Sequence, residues 1–142
     1  CIGAALPQAI GVKMARPTRP VVSVSGDGGF FMNAQDIETA VRWGVGVVNI
    51  VMNNSSWGSE KAYQKVLYEG RYVEADITNP RYDQFAELCG ARGFYVERPE
   101  DLGAVVRAAL ATEGPSVIEI PVDPNELPFP ARAADVFQDL SQ

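Results

Sequence analysis

Short β-branched runs alternate with helical segments along most of this chain. Residues 21–25 and 45–52 are apolar and rich in valine, and residues 34–43 between them carry apolar side chains at helical spacing. A helix that joins two neighbouring strands makes them parallel, because an antiparallel pair needs only a short turn. The same criteria predict further helices over 4–15, 59–68, 82–89 and 99–111, strands over 93–96 and 116–120, and a loop over 70–81. We therefore predict an α/β fold with a doubly wound, mostly parallel sheet that carries helices on both faces.

The composition fits one globular domain. The chain has 142 residues, of which 46% are hydrophobic, enough for a single core. Residues 1–121 form the predicted domain, and Cys1 already stands in what reads as the opening of a helix, so we expect a fragment of a longer chain. Residues 122–142 are rich in proline and scattered acids and are predicted to be a C-terminal tail, with a short helix over 133–140.

Charge and residue usage exclude several classes of function. Twelve Lys and Arg stand against eighteen Asp and Glu without a basic stripe, which disfavours nucleic acid as a partner. No run approaches the roughly 20 apolar residues of a membrane span, and no secretory signal is visible, so we expect no membrane partner and a cytoplasmic protein. The absence of His removes Ser-His and Cys-His couples and the common zinc sites.

Two predicted strands end in polar, turn-forming residues. The first is followed by Gly-Asp-Gly-Gly at residues 26–29, read as a turn, and the second by Asn-Asn-Ser-Ser at residues 53–56. Ligands of open parallel sheets bind beyond the carboxyl ends of the strands, and glycines there let backbone N–H groups approach an anion. Because Asp27 would repel a bare phosphate, a hard cation such as Mg²⁺ is predicted between them, with the Asn54 amide oxygen and the Ser56 main-chain carbonyl as further oxygen ligands.

These residues carry a resemblance to a known family. Gly26-Asp27-Gly28 is followed by 24 residues and then by Asn53-Asn54. The pattern resembles the diphosphate-binding domain of thiamine-diphosphate enzymes of the acetolactate synthase and pyruvate decarboxylase type. The resemblance covers nearly the whole chain, including Leu-Pro-x-Ala-Ile-Gly at residues 6–11 and Pro-x-Val-Ile-Glu-Ile at residues 115–120. It implies thiamine diphosphate and Mg²⁺ as cofactors and an enzyme that decarboxylates or ligates 2-oxo acids or aldehydes.

The resemblance also assigns residues to the cofactor. It implies that Asp27, Asn54 and the Ser56 carbonyl bind the metal. The implied cofactor contacts beyond these ligands are Ile2, which would support the bent cofactor, and three glycines near the diphosphate, Gly26, Gly28 and Gly29. Many relatives have Ser where Gly29 stands, so a backbone N–H would replace a hydroxyl contact here.

Trp57 and Glu60 are the candidate catalytic residues. Both stand at the start of the helix predicted to follow the metal site. Glu60 could act as an acid or a proton relay, or it could only stabilise the N-terminus of that helix. Trp57 could shape the substrate pocket, or it could only cap the hydrophobic core.

The resemblance implies partners that the chain lacks. In the family, a glutamate on the pyrimidine-binding domain of another subunit assists the cofactor, so a homodimer or homotetramer is expected and this chain alone should catalyse nothing. The segment Trp-Gly-x-Glu-Lys at residues 57–61, followed by residues 68–72, is more similar to sulfoacetaldehyde acetyltransferase, which passes an acyl group to phosphate. A non-catalytic cofactor-binding or regulatory module is the alternative from a different class.

Overall fold

The computed structural model describes residues 1–126, and the predicted helix over 133–140 and most of the predicted tail lie outside them. Helices and strands alternate as the sequence predicts. The helices are α1 (Ala5–Ala15), α2 (Asp27–Phe31), α3 (Asp36–Arg42), α4 (Gly58–Leu67), α5 (Tyr82–Leu88) and α6 (Leu102–Leu110), the last preceded by a 3₁₀ turn at Pro99–Asp101. The strands are β1 (Val22–Gly26), β2 (Val48–Asn53), β3 (Arg92–Tyr95) and β4 (Ser116–Pro121).

The four strands form one parallel sheet in the order β1-β2-β4-β3. One face packs against α1, α3 and α5, where buried side chains such as Leu6, Ile37 and Ala86 meet Val51 and Val117 of the sheet. The other face packs against α6, and Ile118 is fully buried there. Helices on both faces of a parallel sheet confirm the predicted fold class.

Strand β1 is less well covered than its neighbours. Burial alternates along the strand: Ser23 is buried, while Val22 is 44% and Val24 is 61% exposed. These valines pair with Val48 and Ile50 of β2 and so lie on the α6 side of the sheet. Helix α6 packs mainly against β3 and β4.

The ends of β1 and β2 lie side by side, because Gly26 pairs with Met52 in the parallel ladder. The sequence analysis reads residues 26–29 as a turn, and this is wrong: α2 begins at Asp27, directly after the strand. Gly26 keeps an extended backbone, and neither Gly28 nor Gly29 has a positive φ, so all three are compatible with a direct strand-to-helix transition. In residues 1–126 no helix is long and apolar enough to cross a membrane.

Candidate functional site

A cleft of about 570 Å³ lies at the carboxyl ends of β1 and β2. Gly26 and Asp27 line it from the end of β1, and Asn54 and Ser56 line it from the segment after β2. The structure therefore brings together all three residues that the sequence analysis assigned to the metal. Ser59, in the first turn of α4, also lines the cleft and was not predicted.

Asp27 places a buried carboxylate at this cleft. It is the first residue of α2 and only 2% exposed. Its Oδ2 accepts a hydrogen bond from the Asn79 side-chain nitrogen at 2.6 Å, which leaves Oδ1 for another partner. A buried carboxylate is costly unless hydrogen bonds or a cation compensate its charge, so the position fits a cation.

The segment after β2 is held in a tight turn. The Asn54 Oδ1 atom accepts a hydrogen bond from the Ser56 N–H at 3.1 Å, and Ser55 has a left-handed backbone with φ of 52°. Trp57 N–H donates to Ala75 O at 2.8 Å and Ile77 N–H donates to Ser55 O at 2.9 Å, which joins this turn to the predicted loop. These two bonds flank the antiparallel bridge between Ser56 and Asp76. The main-chain carbonyl of Ser56 therefore makes no hydrogen bond across this bridge.

The donor set at the cleft is made of oxygen atoms. Asp27 offers a carboxylate, Asn54 an amide oxygen and Ser56 a main-chain carbonyl, and the buried Ser56 Oγ has no hydrogen-bond partner among the described residues. Hard cations such as Mg²⁺ prefer oxygen ligands of this kind. Within residues 1–126 no cluster of three or more His, Cys, Asp or Glu side chains could hold a metal, and the predicted set does not require one.

Gly28 and Trp57 are in close contact. A Cβ atom on Gly28 would lie 2.6 Å from Cζ3 of the Trp57 ring, whereas a Cβ on Gly29 would meet nothing nearer than the Gly3 nitrogen at 4.0 Å. Trp57 is half-buried and does not itself line the cleft in the described structure. The indole ring thus packs against the first turn of α2, and Asp27 of that turn lines the cleft.

Five of the predicted site residues are not among the described residues that line the cleft: Trp57, Gly28, Gly29, Glu60 and Ile2. Glu60 is exposed in the first turn of α4 and is not among the described residues that line the cleft. Ile2 is 56% exposed and also lies outside that lining. Their predicted roles stay predictions.

A group of polar side chains behind the cleft was not predicted. Asn53 donates to Glu119 Oε1 at 2.8 Å, and Asn79 donates to Asn53 Oδ1 at 2.9 Å. The Tyr82 hydroxyl donates to Asn79 Oδ1 at 2.8 Å, and burial, with the charges of Asp27 and Glu119 nearby, raises the pKa of Tyr82 well above its ordinary value. Asn79 lies in the predicted loop over 70–81, where nothing in the local sequence distinguishes it as a site residue.

Comparison with known proteins identifies the family of this chain. Residues 1–120 match the family described as the thiamine pyrophosphate enzyme, C-terminal TPP binding domain. An acetolactate synthase of Bacillus subtilis is 43% identical over 122 residues, which cover 86% of this chain and 21% of that protein. A sulfoacetaldehyde acetyltransferase of Alcaligenes xylosoxydans is 35% identical and covers 96% of this chain and 25% of that protein.

A solved structure supports the same assignment. The thiamine diphosphate-dependent 4-hydroxybenzoylformate decarboxylase of Rhodococcus jostii superposes with a TM-score of 0.81 at 30% sequence identity, over 88% of this chain and 24% of that one. The chain thus spans about a quarter or less of the length of these relatives. The predicted resemblance and the predicted thiamine diphosphate cofactor are confirmed, and the chain belongs to the C-terminal, thiamine-pyrophosphate-binding domain family of thiamine pyrophosphate enzymes.

Proposed function

We propose that this chain anchors the diphosphate of thiamine diphosphate through Mg²⁺ in the cleft between β1 and β2, as part of a longer enzyme that acts on 2-oxo acids. The observation that carries the proposal is the convergence of Asp27, Asn54 and Ser56 on one cleft at two adjacent strand ends. All three offer oxygen atoms, and Mg²⁺ is commonly shared between such ligands and phosphate oxygens.

Each predicted ligand and glycine has a distinct part in the proposal. Asp27 supplies the negative charge that holds the cation, and the Asn54 amide and the Ser56 carbonyl complete the protein ligands. Gly26, Gly28 and Gly29 lie at the junction of β1 and α2, where backbone N–H groups at the start of a helix favour an anion. When bound, the cofactor supplies a carbon nucleophile for a substrate carbonyl and an electron sink for decarboxylation.

The remaining assignments concern residues that do not line the cleft. Ile2 supports the bent cofactor, Trp57 packs against Gly28 and holds the first turn of α2 in place, and Glu60 stabilises the N-terminus of α4. The glutamate that assists the cofactor comes from a pyrimidine-binding domain of another subunit, so the active form is a homodimer or homotetramer. We also propose that the enzyme is cytoplasmic.

Decarboxylation or carboligation of the acetolactate synthase kind is the first candidate reaction, supported by the 43% identity to the Bacillus subtilis enzyme. Acyl transfer to phosphate is the second. It is supported by the sulfoacetaldehyde acetyltransferase, whose alignment covers 96% of this chain against 86% for the synthase.

The experiment uses the full-length protein. Thiamine diphosphate is titrated calorimetrically with and without Mg²⁺, and we expect tight binding only with the metal. Carbon dioxide release is then measured on a panel of 2-oxo acids, and acetyl phosphate is measured with sulfoacetaldehyde and phosphate. Carbon dioxide release from a 2-oxo acid would select the first reaction, and acetyl phosphate formation would select the second. Binding without any turnover would favour the non-catalytic module, and no binding would overturn the proposal.

A further inference from the structure

Asn79 connects the two strand ends that build the cleft. It lies in the segment before α5, remote in sequence from both strands. Its side-chain nitrogen donates to Asp27 Oδ2 at 2.6 Å and to Asn53 Oδ1 at 2.9 Å. A single amide group thereby ties the residue after β1 to the last residue of β2.

The orientation of this amide is fixed by its neighbours. Its Oδ1 atom accepts a hydrogen bond from the Tyr82 hydroxyl at 2.8 Å, and Tyr82 is fully buried. A flipped amide would point its oxygen at the Asp27 carboxylate and its nitrogen at a hydroxyl donor. Only one orientation therefore satisfies all of the groups around it.

Asn79 also contacts the end of the second strand, through its hydrogen bond to Asn53. The Asn53 side chain also donates to the buried Glu119 and accepts the Ser55 N–H at 3.1 Å. This bond stabilises the turn that carries Asn54 and Ser56 into the cleft. Asn79 thus contacts one predicted ligand directly and supports the segment that carries the other two.

We propose that Asn79 is a positioning residue that fixes the orientation of the Asp27 carboxylate in the cleft, so that this carboxylate would bind the metal. The inference rests on the proposed function. Groups that orient a ligating carboxylate by a hydrogen bond change metal affinity by about 10- to 100-fold when they are removed. Asn79 itself binds no metal in this arrangement, because the nitrogen that it directs at Asp27 is a donor.

The test compares Asn79→Ala with Thr78→Ala in the full-length protein. Thr78 is the exposed neighbour in the same segment and serves as the matched control. Mn²⁺ replaces Mg²⁺ at saturating thiamine diphosphate, and both its affinity and its electron paramagnetic resonance spectrum are recorded at a temperature where circular dichroism shows every variant folded. We expect Asn79→Ala to lower the Mn²⁺ affinity by about 10- to 100-fold and to alter the line shape of the bound ion. Thr78→Ala should match the wild type.

Tyr82→Phe is a second variant that keeps the aromatic ring and removes the hydroxyl, which donates to Asn79 Oδ1 at 2.8 Å and also lies 3.3 Å from the Asp27 main-chain oxygen. We expect a smaller loss of Mn²⁺ affinity in the same direction. A residue that only stabilised its loop would lower the thermal midpoint and leave affinity and line shape unchanged, and that result in Asn79→Ala would overturn the inference alone. A wild type that bound no Mn²⁺ with thiamine diphosphate would overturn the proposed function as well.

Discussion

The ring of Trp57 lies so close to Gly28 that a methyl group on Gly28 would come within 2.6 Å of Cζ3. Gly28→Ala should therefore displace the indole or the first turn of α2. Such overpacking costs about 1–3 kcal/mol, and we expect the free energy of unfolding to fall by that amount. Chemical denaturation of the cofactor-free, full-length protein measures it, and thiamine diphosphate affinity should fall in parallel.

Gly29→Ala is the matched control for this substitution. A Cβ at position 29 would meet nothing closer than 4.0 Å, and the residue lies within α2. Alanine is favoured over glycine in a helix by about 0.5–1 kcal/mol, so the cofactor-free protein should be equally stable or slightly more stable. Equal destabilisation by both substitutions would show that the contact with Trp57 is not the cause.

Asp27→Ala should remove the dependence of thiamine diphosphate binding on Mg²⁺. Loss of a buried charged ligand from a paired site costs about 3 kcal/mol or more, which corresponds to a factor of about 100 in affinity. Calorimetric titration with and without Mg²⁺ measures the change. Asp36→Ala, which alters an acid in the first turn of α3, should bind as the wild type does. Retained Mg²⁺ dependence in Asp27→Ala would exclude Asp27 as a ligand.

Glu60→Gln should leave turnover nearly normal. The side chain is exposed and lies in the first turn of α4, where a negative charge stabilises a helix by about 0.3–1 kcal/mol. We therefore expect a small loss of stability and unchanged cofactor affinity. The measurement is steady-state kinetics on the substrate identified for the full-length enzyme. A large loss of kcat with intact thiamine diphosphate binding would instead identify Glu60 as a catalytic acid.

Tyr82 should make the fold sensitive to alkali. Burial and the nearby carboxylates of Asp27 and Glu119 raise the pKa of Tyr82 above its ordinary value of 10.0, so the folded protein keeps a proton that the unfolded chain releases. The stability that this group contributes is present below pH 10 and is lost as the pH rises further. The free energy of unfolding should fall by up to about 1.4 kcal/mol per pH unit more steeply in the wild type than in Tyr82→Phe. Parallel slopes would contradict this.

The architecture could be predicted because local hydrophobic patterns in the sequence indicate each strand and helix. Strand β2 is an apolar run that ends in polar residues, and α3 shows apolar residues at helical spacing, so the parallel β1-β2 pair followed directly. The boundary after β1 was less predictable. Successive glycines are typical of turns, and only the packing of the Trp57 ring shows that Gly28 is needed for space within a helix.

The convergence of Asp27 and Asn54 on the cleft was likewise predictable from the sequence, since both residues follow the strands that place them. Asn79 was not, because its position depends on how the chain between α4 and α5 returns across the sheet. No periodicity marks that path, and the hydrogen bond from Asn79 to Asp27 joins residues 52 positions apart. Tertiary contacts of this separation leave no local sequence signal.

The thin cover over β1 has a practical consequence for anyone who produces this chain by itself. Within residues 1–126, β1 has a hydrogen-bonded neighbour on only one side, and Val22 and Val24 are exposed. Such a strand offers both unpaired backbone groups and an apolar surface to any other strand. Recombinant chain expressed alone should form soluble aggregates in light scattering, and the complete polypeptide is the sample from which binding constants should be taken.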